Sequence, residues 1–225
     1  MAVPFKNRFD AGRQLARLLM AFANWTDTIV LGLPRGGVPV AYEVAMALNA
    51  PLDVFVVRKL GVPGHEELAM GAIASGGKIV LSDAIVQTRH VSAAQIQKVI
   101  QTEQLELERR EQRFRGGNPA LSVTDLIVVL VDDGMATGLT MRAAAEAISR
   151  QKPRQIIVAV PISDLNVCED LKDIVDETVC MNTPEPIYAV GFWYQDFTPT
   201  SDDEVRELLQ RRQEALRSSE RQVSG

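Results

Sequence analysis

Residues 128–141 read Val-Val-Leu-Val-Asp-Asp-Gly-Met-Ala-Thr-Gly-Leu-Thr-Met. The apolar, β-branched run from Leu126 to Val131 predicts a short strand buried on both faces. Asp132 and Asp133 stand where that strand must end. A loop of small and hydroxyl residues follows (Gly134, Thr137, Gly138, Thr140) and opens into a helix. Strand, acidic pair, phosphate-sized loop and helix N-terminus together describe a site for a phosphorylated, polyhydroxylated ligand.

Outward from this stretch, apolar runs alternate with segments of helical period. Asp10 is expected to cap a first helix with Leu15, Leu18, Leu19 and Phe22 on its apolar face. Thr28 to Leu33 reads as a strand, Pro34 to Gly37 as a tight turn, Val38 to Leu48 as a helix, and Leu52 to Val57 as a second strand. Gly, Pro, His and Glu punctuate residues 58–82, which read as a mobile loop with strand-like pieces at Gly71–Ala74 and Ile79–Leu81. Ser92 and Gln95 form a capping box for a long helix that Gly116-Gly117 stops. Its charge-rich half, Glu103 to Arg115, reads as a solvated surface.

After residue 139 the pattern predicts a helix to Ser149, a strand from Gln155 to Val160, a helix over Ser163–Ile174 and a strand over Val175–Cys180. The Pro- and aromatic-rich stretch 181–200 suits a small hood. Ser201 and Glu204 box the start of a terminal helix over about 202–217, and Ser218 to Gly225 read as a frayed end. The fold class expected is α/β, a twisted parallel sheet with helices on both faces plus a hood, forming a single domain with its core over about 10–180.

Composition narrows the function. With 46% hydrophobic and 24% charged residues among 225, the chain has an ordinary globular balance. A net charge of -5 argues against a broad cationic surface for nucleic acid. No run approaches the roughly eighteen apolar residues of a membrane span, and the N-terminal residues lack a signal-peptide core. The two cysteines, Cys168 and Cys180, lack metal-ligand spacing and read as buried thiols of a reducing, cytoplasmic protein.

Leu33-Pro34-Arg35-Gly36-Gly37 is a second loop at a strand's carboxyl end. Consecutive glycines admit an anion close to the backbone, and Arg35 adds a cationic fork. Two phosphate-type loops at neighbouring strand ends, with carboxylates between them, fit a sugar bearing phosphates at both ends. The carboxylates would then face hydroxyls or a cation. Gly71 to Lys78 superficially suggests a nucleotide P-loop, but Ile79 stands where a hydroxyl is required, so a glycine hairpin tip is the better reading.

These motifs resemble the type I phosphoribosyltransferases, which use 5-phosphoribosyl-1-diphosphate. Val128–Met141 is similar to their signature, in a form nearest the adenine-type variant. Leu33–Gly37 resembles their diphosphate loop, and Val57-Arg58-Lys59-Leu60-Gly61 the start of their mobile loop. Leu-Pro-Arg-Gly-Gly-Val-Pro-Val-Ala, Glu-Leu-Ala-Met-Gly-Ala-Ile-Ala and Thr-Pro-Glu-Pro resemble an uncharacterised branch of that family.

The resemblance implies that Gly134, Met135, Ala136, Thr137, Gly138, Leu139 and Thr140 hold the 5-phosphate. It implies that Asp132 and Asp133 take the ribose hydroxyls, directly or beside Mg2+, which they would hold indirectly. Arg35, Gly36 and Gly37 would bind diphosphate, with Arg58 and Lys59 closing over it. Phe192, Trp193 and Tyr194 would offer a platform for a small-molecule acceptor, their other reading being a strand edge packed on the core. Ala136 stands where many purine enzymes carry an aspartate proposed as general base. No lysine follows Lys172, so a 6-oxopurine is not the expected acceptor. A magnesium-dependent transferase is the leading expectation and a non-catalytic sensor of phosphoribosyl diphosphate the alternative. A homodimer would be ordinary for such a fold.

Overall fold

The structure, a computed structural model, describes residues 4–185 and 187–223. Along the chain the elements are α1 (Arg8–Leu18), β1 (Thr28–Gly32), α2 (Gly37–Leu48), β2 (Leu52–Val54), β3 (Val57–Val62), β4 (His65–Ala74), β5 (Lys78–Leu81), α3 (Asp83–Thr88), α4 (Ala93–Arg115) and β6 (Ile127–Val131). They continue with α5 (Leu139–Ser149), β7 (Gln155–Ile162), α6 (Leu165–Leu171), β8 (Glu177–Asn182) and α7 (Asp202–Val223).

The apolar run before the acidic pair is the middle of a five-stranded parallel sheet in the order β2-β1-β6-β7-β8. All five residues of β6 are buried. Ile127, Val129 and Val131 pack with α1 and α2 through Leu15, Leu19, Val40, Val44 and Leu48. Val128 and Leu130 face the other way, onto Met141 and Ile148 of α5 and Leu171 of α6. Alternation along one strand thus feeds two helical layers, as expected for a parallel sheet covered on both faces.

Register then positions the loops. β1 and β6 pair from Thr28↔Ile127 to Gly32↔Val131, so the two strands end level. The Leu33 amide continues the ladder onto the Val131 carbonyl at 2.9 Å. The loops that follow therefore emerge side by side at the carboxyl edge, where open α/β sheets bind ligands.

Several expectations are corrected. The cap of α1 is Asn7, whose side chain accepts from the Asp10 amide, and Asp10 lies inside the first turn. Leu18 is 55% exposed, because the buried stripe runs through Ala11, Leu15, Ala16 and Leu19 and leaves it on the flank. The strand predicted over 52–57 divides at Phe55, whose amide still reaches the Gly32 carbonyl at 3.0 Å before the chain leaves the parallel sheet.

Residues 58–82, expected as a mobile loop, form most of a three-stranded antiparallel sheet, β3-β4-β5. Its apolar face anchors it. Leu60, Val62, Met70 and Ile73 are buried against Ile100, Leu107 and Phe114 of α4 and Val205 and Leu208 of α7. Gly76 and Gly77 turn the β4–β5 hairpin at φ of 80° and 70°, as a glycine hairpin tip requires. The terminal helix runs on to Val223, past the predicted fray, and residues 224 and 225 of that stretch lie outside the described residues.

The cysteines are also corrected. Cys168 of α6 and Cys180 of β8 are joined in a disulfide, with their Cα atoms 6.6 Å apart. The β7–α6–β8 crossover lays the helix on the sheet and brings its buried Cys168 onto the next strand, a proximity that sequence spacing does not reveal. Among the described residues no helix is long and apolar enough to cross a membrane.

One buried ion pair ties α4 to the edge of the parallel sheet. Arg115, at the end of α4, donates to Asp53 of β2 at 2.9 Å and to the Val54 carbonyl at 2.7 Å, and both charged side chains are under one-tenth exposed. Asp53 also accepts from the Val54 and Leu121 amides. Arg115→Ala leaves that carboxylate buried without its cation. It is expected to cost about 3 kcal/mol in chemical denaturation, and an unchanged midpoint would show that the pair contributes little.

Candidate active site

The loop after β1 is pressed against the acidic pair. The Gly37 amide donates back to the Leu33 carbonyl at 3.0 Å, closing the turn, and the Pro34–Arg35 peptide is cis. A Cβ on Gly36 would lie 2.1 Å from Asp133 Oδ2, and one on Gly37 2.8 Å from both the Asp132 Cα and the Val131 carbonyl oxygen. The glycines are thus required by contact between the two loops, whatever else they admit.

Asp132 and Asp133 sit partly buried between these loops. Burial pushes both carboxyls above the usual carboxylate range, Asp132 well above it with help from the neighbouring Asp133 charge. Arg8 opposes the shift at Asp133. Its Nε donates to Asp133 Oδ2 at 2.7 Å and its Nη1 to the Thr198 carbonyl at 2.8 Å, while its guanidinium carbon lies 3.8 Å from the Phe197 ring centre. Tyr194 Oη donates to the Asp133 carbonyl at 2.6 Å, and burial raises its phenol far above the usual range, keeping it a donor.

Arg8 and Tyr194 join the N-terminal segment, the hood and the acidic pair, and sequence reasoning missed the role of both. No local pattern marks Arg8, which lies 125 residues from its partner.

The loop after β6 is anchored in its middle and open at its rim. Met135 is buried, and its amide donates to the Ile162 carbonyl at 2.9 Å. Ala136, Thr137, Leu139 and Thr140 are at least partly exposed. Gly138 takes the left-handed conformation at φ 66° and starts α5 as its N-cap. Among the described residues, the amides of Ala136 to Thr140 donate to no protein acceptor. Free donors at a helix N-terminus form a cradle for an anion.

On the β2 side of these loops lies a cavity of about 270 Å3. Pro34, Arg35 and Thr140 border it, and Arg109, Arg110 and Arg113 of α4 reach it from above. The charge-rich half of α4, expected to face only solvent, therefore also walls a cavity beside the site. Asp202, at the start of α7, bridges Arg35 at 3.6 Å and Arg113 at 2.7 Å. Glu106 carries the hydrogen bonds of Arg109 and Arg110, which hold its carboxyl down to about 2.

Other predicted residues sit elsewhere. Arg58 points from β3 to Glu103 of α4 at 2.8 Å, and Lys59 reaches the Glu67 carbonyl at 3.2 Å, so neither borders this cavity. In the hood, Phe192 is 76% exposed on a 3-10 turn spanning Val190–Trp193, whereas Tyr194 packs inward on Phe5. Trp193 is half-buried on the same inner cluster. The hood aromatics thus divide between an exposed rim and a core-facing side.

Against known proteins, residues 5–192 match the model of the phosphoribosyl transferase domain. The chain belongs to the phosphoribosyl transferase domain family. Two Mycobacterium tuberculosis proteins, from strains CDC 1551 and H37Rv and provisionally named phosphoribosyl transferases, are each 48% identical over 207 residues. That is 92% of this chain and 46% of each relative, so the chain spans about half the length of the curated relatives it matches.

The crystal structure of TT1426 from Thermus thermophilus superposes with a TM-score of 0.81 at 38% identity. The match covers 92% of this chain and 98% of that one, in keeping with an α/β phosphoribosyltransferase fold that carries a small antiparallel sheet.

Proposed function

We propose that this phosphoribosyltransferase domain binds 5-phosphoribosyl-1-diphosphate and transfers its phosphoribosyl group to a nitrogenous base or related small nucleophile. The observation that carries this reading is the free-amide cradle at 136–140 lying level with a cationic loop, the acidic pair between them. The 5-phosphate would take the cradle, with the Thr137 and Thr140 hydroxyls beside it and the α5 dipole behind it. Asp132 and Asp133 would accept the ribose 2- and 3-hydroxyls, and Arg35 with the Gly36 and Gly37 backbone would face the diphosphate.

In the reaction, the bond from the anomeric carbon to the diphosphate oxygen breaks, and diphosphate leaves with the electron pair. The acceptor nitrogen bonds to that carbon and releases its proton to solvent. Positive charge builds on the ring in the transition state. Carboxylates fixed beneath the ring and guanidinium groups beside the leaving oxygen stabilise the charge developing at both places. Anchoring the sugar at both ends supplies the geometry. The exposed Ala136 offers no proton-accepting group, so the acceptor's proton would pass to solvent rather than to that residue.

Magnesium is part of the proposal. Two neighbouring carboxylates suit an ion that retains waters and takes its other oxygens from phosphate. Among the described residues, no cluster of three or more His, Cys, Asp or Glu is placed to hold a metal on its own. The ion would therefore be held by Asp132 and Asp133 together with the ligand, where it supplies charge neutralisation of the leaving diphosphate.

The test is diphosphate release from phosphoribosyl diphosphate and Mg2+ across a panel of bases. The expected result is saturable release with at least one acceptor and loss of activity on chelation. Saturable binding without release across the panel would replace the transferase with a sensor of the same ligand.

A further inference from the structure

We propose that Arg109, Arg110 and Arg113 of α4 form the wall that receives the leaving diphosphate, and that Asp202 is an internal anion displaced when it arrives. The proposal rests on the phosphoribosyl diphosphate reading and adds residues on the long helix α4 and at the start of α7.

The placement argues for it. Residues spaced i, i+1 and i+4 share one side of a helix. Here that side faces the 270 Å3 cavity between Arg35 and Thr140. The far side of α4 is fixed by buried Ile100 and Leu107, and buried Phe114 borders the cavity beside the arginines, so the guanidinium groups hang from a rigid element. Arg58 and Lys59, the cations expected to close over the diphosphate, do not border this cavity, whereas Arg109, Arg110 and Arg113 do. The hood meets the site from the other flank, where Val190 lies against Gly134. A sugar anchored at 136–140 therefore has the arginine cavity on one side and the acceptor's approach on the other.

Charge argues the same way. Four guanidinium groups, those of Arg35, Arg109, Arg110 and Arg113, stand here with two carboxylates, Glu106 and Asp202. Two positive charges remain unbalanced, suited to a polyanion. Asp202 already plays the anion's part, with its two oxygens divided between Arg35 of the β1 loop and Arg113 of α4. Its displacement is eased because the first turn of α7 stays capped by Ser201, which accepts from the Glu204 amide at 3.1 Å. A resident carboxylate of this kind weakens diphosphate binding and so speeds product release.

Calorimetric titration of inorganic diphosphate with Mg2+ into the whole chain tests this directly. Arg110→Ala/Arg113→Ala is expected to bind about tenfold more weakly than wild type, from the loss of charge-assisted hydrogen bonds. Arg113→Lys, which keeps the charge, should bind more tightly than the double variant. Asp202→Asn is expected to bind about tenfold more tightly than wild type. Unchanged affinity in the double variant overturns the arginine wall, and unchanged or weaker affinity in Asp202→Asn overturns the internal anion.

Phosphoribosyl diphosphate in a parallel titration separates this proposal from the reading beneath it. Arginine-dependent diphosphate binding without any phosphoribosyl diphosphate binding leaves the wall standing and removes the transferase reading. Turnover that is indifferent to the arginine changes does the reverse.

Discussion

Asp132→Asn/Asp133→Asn is expected to lower phosphoribosyl transfer about 10³-fold while leaving the fold intact. The two substitutions keep the shape of the side chains and remove the acidic pair's capacity to carry negative charge against the ribose in the proposed site. Each charged hydrogen bond lost is worth about 1.5–3 kcal/mol, and two together reach that factor. Asn at 133 also leaves Arg8 without its ion partner, although the Thr198 carbonyl and the Phe197 ring still hold its guanidinium. Circular dichroism should therefore remain native. Steady-state diphosphate release is the measurement, and activity within tenfold of wild type would remove the pair from the chemistry.

Gly37→Ala should have the second largest effect, for a steric reason. Its Cβ would meet backbone on two sides, the Asp132 Cα and the Val131 carbonyl oxygen, each at 2.8 Å. No side-chain rotation relieves contacts of that kind, so the β1 loop must move away from the acidic pair. Shifts of about 1 Å in positioning groups cost roughly 10²-fold in rate, and overpacking costs about 1–3 kcal/mol in stability. Both should appear together, as slower diphosphate release and a lower denaturation midpoint. A variant with wild-type rate and midpoint would show that the loops are not held in contact.

These expectations rest on parts of the site that are legible in the sequence, for identifiable reasons. β6 is a continuous β-branched run buried on both faces, which strand period and burial both demand. The loops after β1 and β6 carry their chemistry in consecutive residues, so their function reads locally. Arg8 does not, because its meaning arises only when α1 packs beside the hood and meets Asp133. The arginines of α4 are a subtler case. A charged helix face looks the same in sequence whether open solvent or a ligand cavity lies beyond it.

Beyond the strand pieces legible at Gly71–Ala74 and Ile79–Leu81, residues 58–82 hide the rest of their sheet for a related reason. Their glycines and charges mark the hairpin tips and exposed edges, while the anchoring residues Leu60, Met70 and Ile73 are too widely spaced to form one run. The disulfide of Cys168 with Cys180 likewise depends on a crossover that only the sheet order reveals.

The central claim is that the loop after β6 holds the 5-phosphate on free backbone amides, and amide-resolved NMR titration with phosphoribosyl diphosphate and Mg2+ tests it most directly. Saturable shifts are expected to concentrate on Ala136, Thr137, Gly138, Leu139 and Thr140, and to vanish when the ligand is replaced by ribose without phosphate. Shifts that leave those amides untouched while the ligand binds elsewhere on the chain would contradict it.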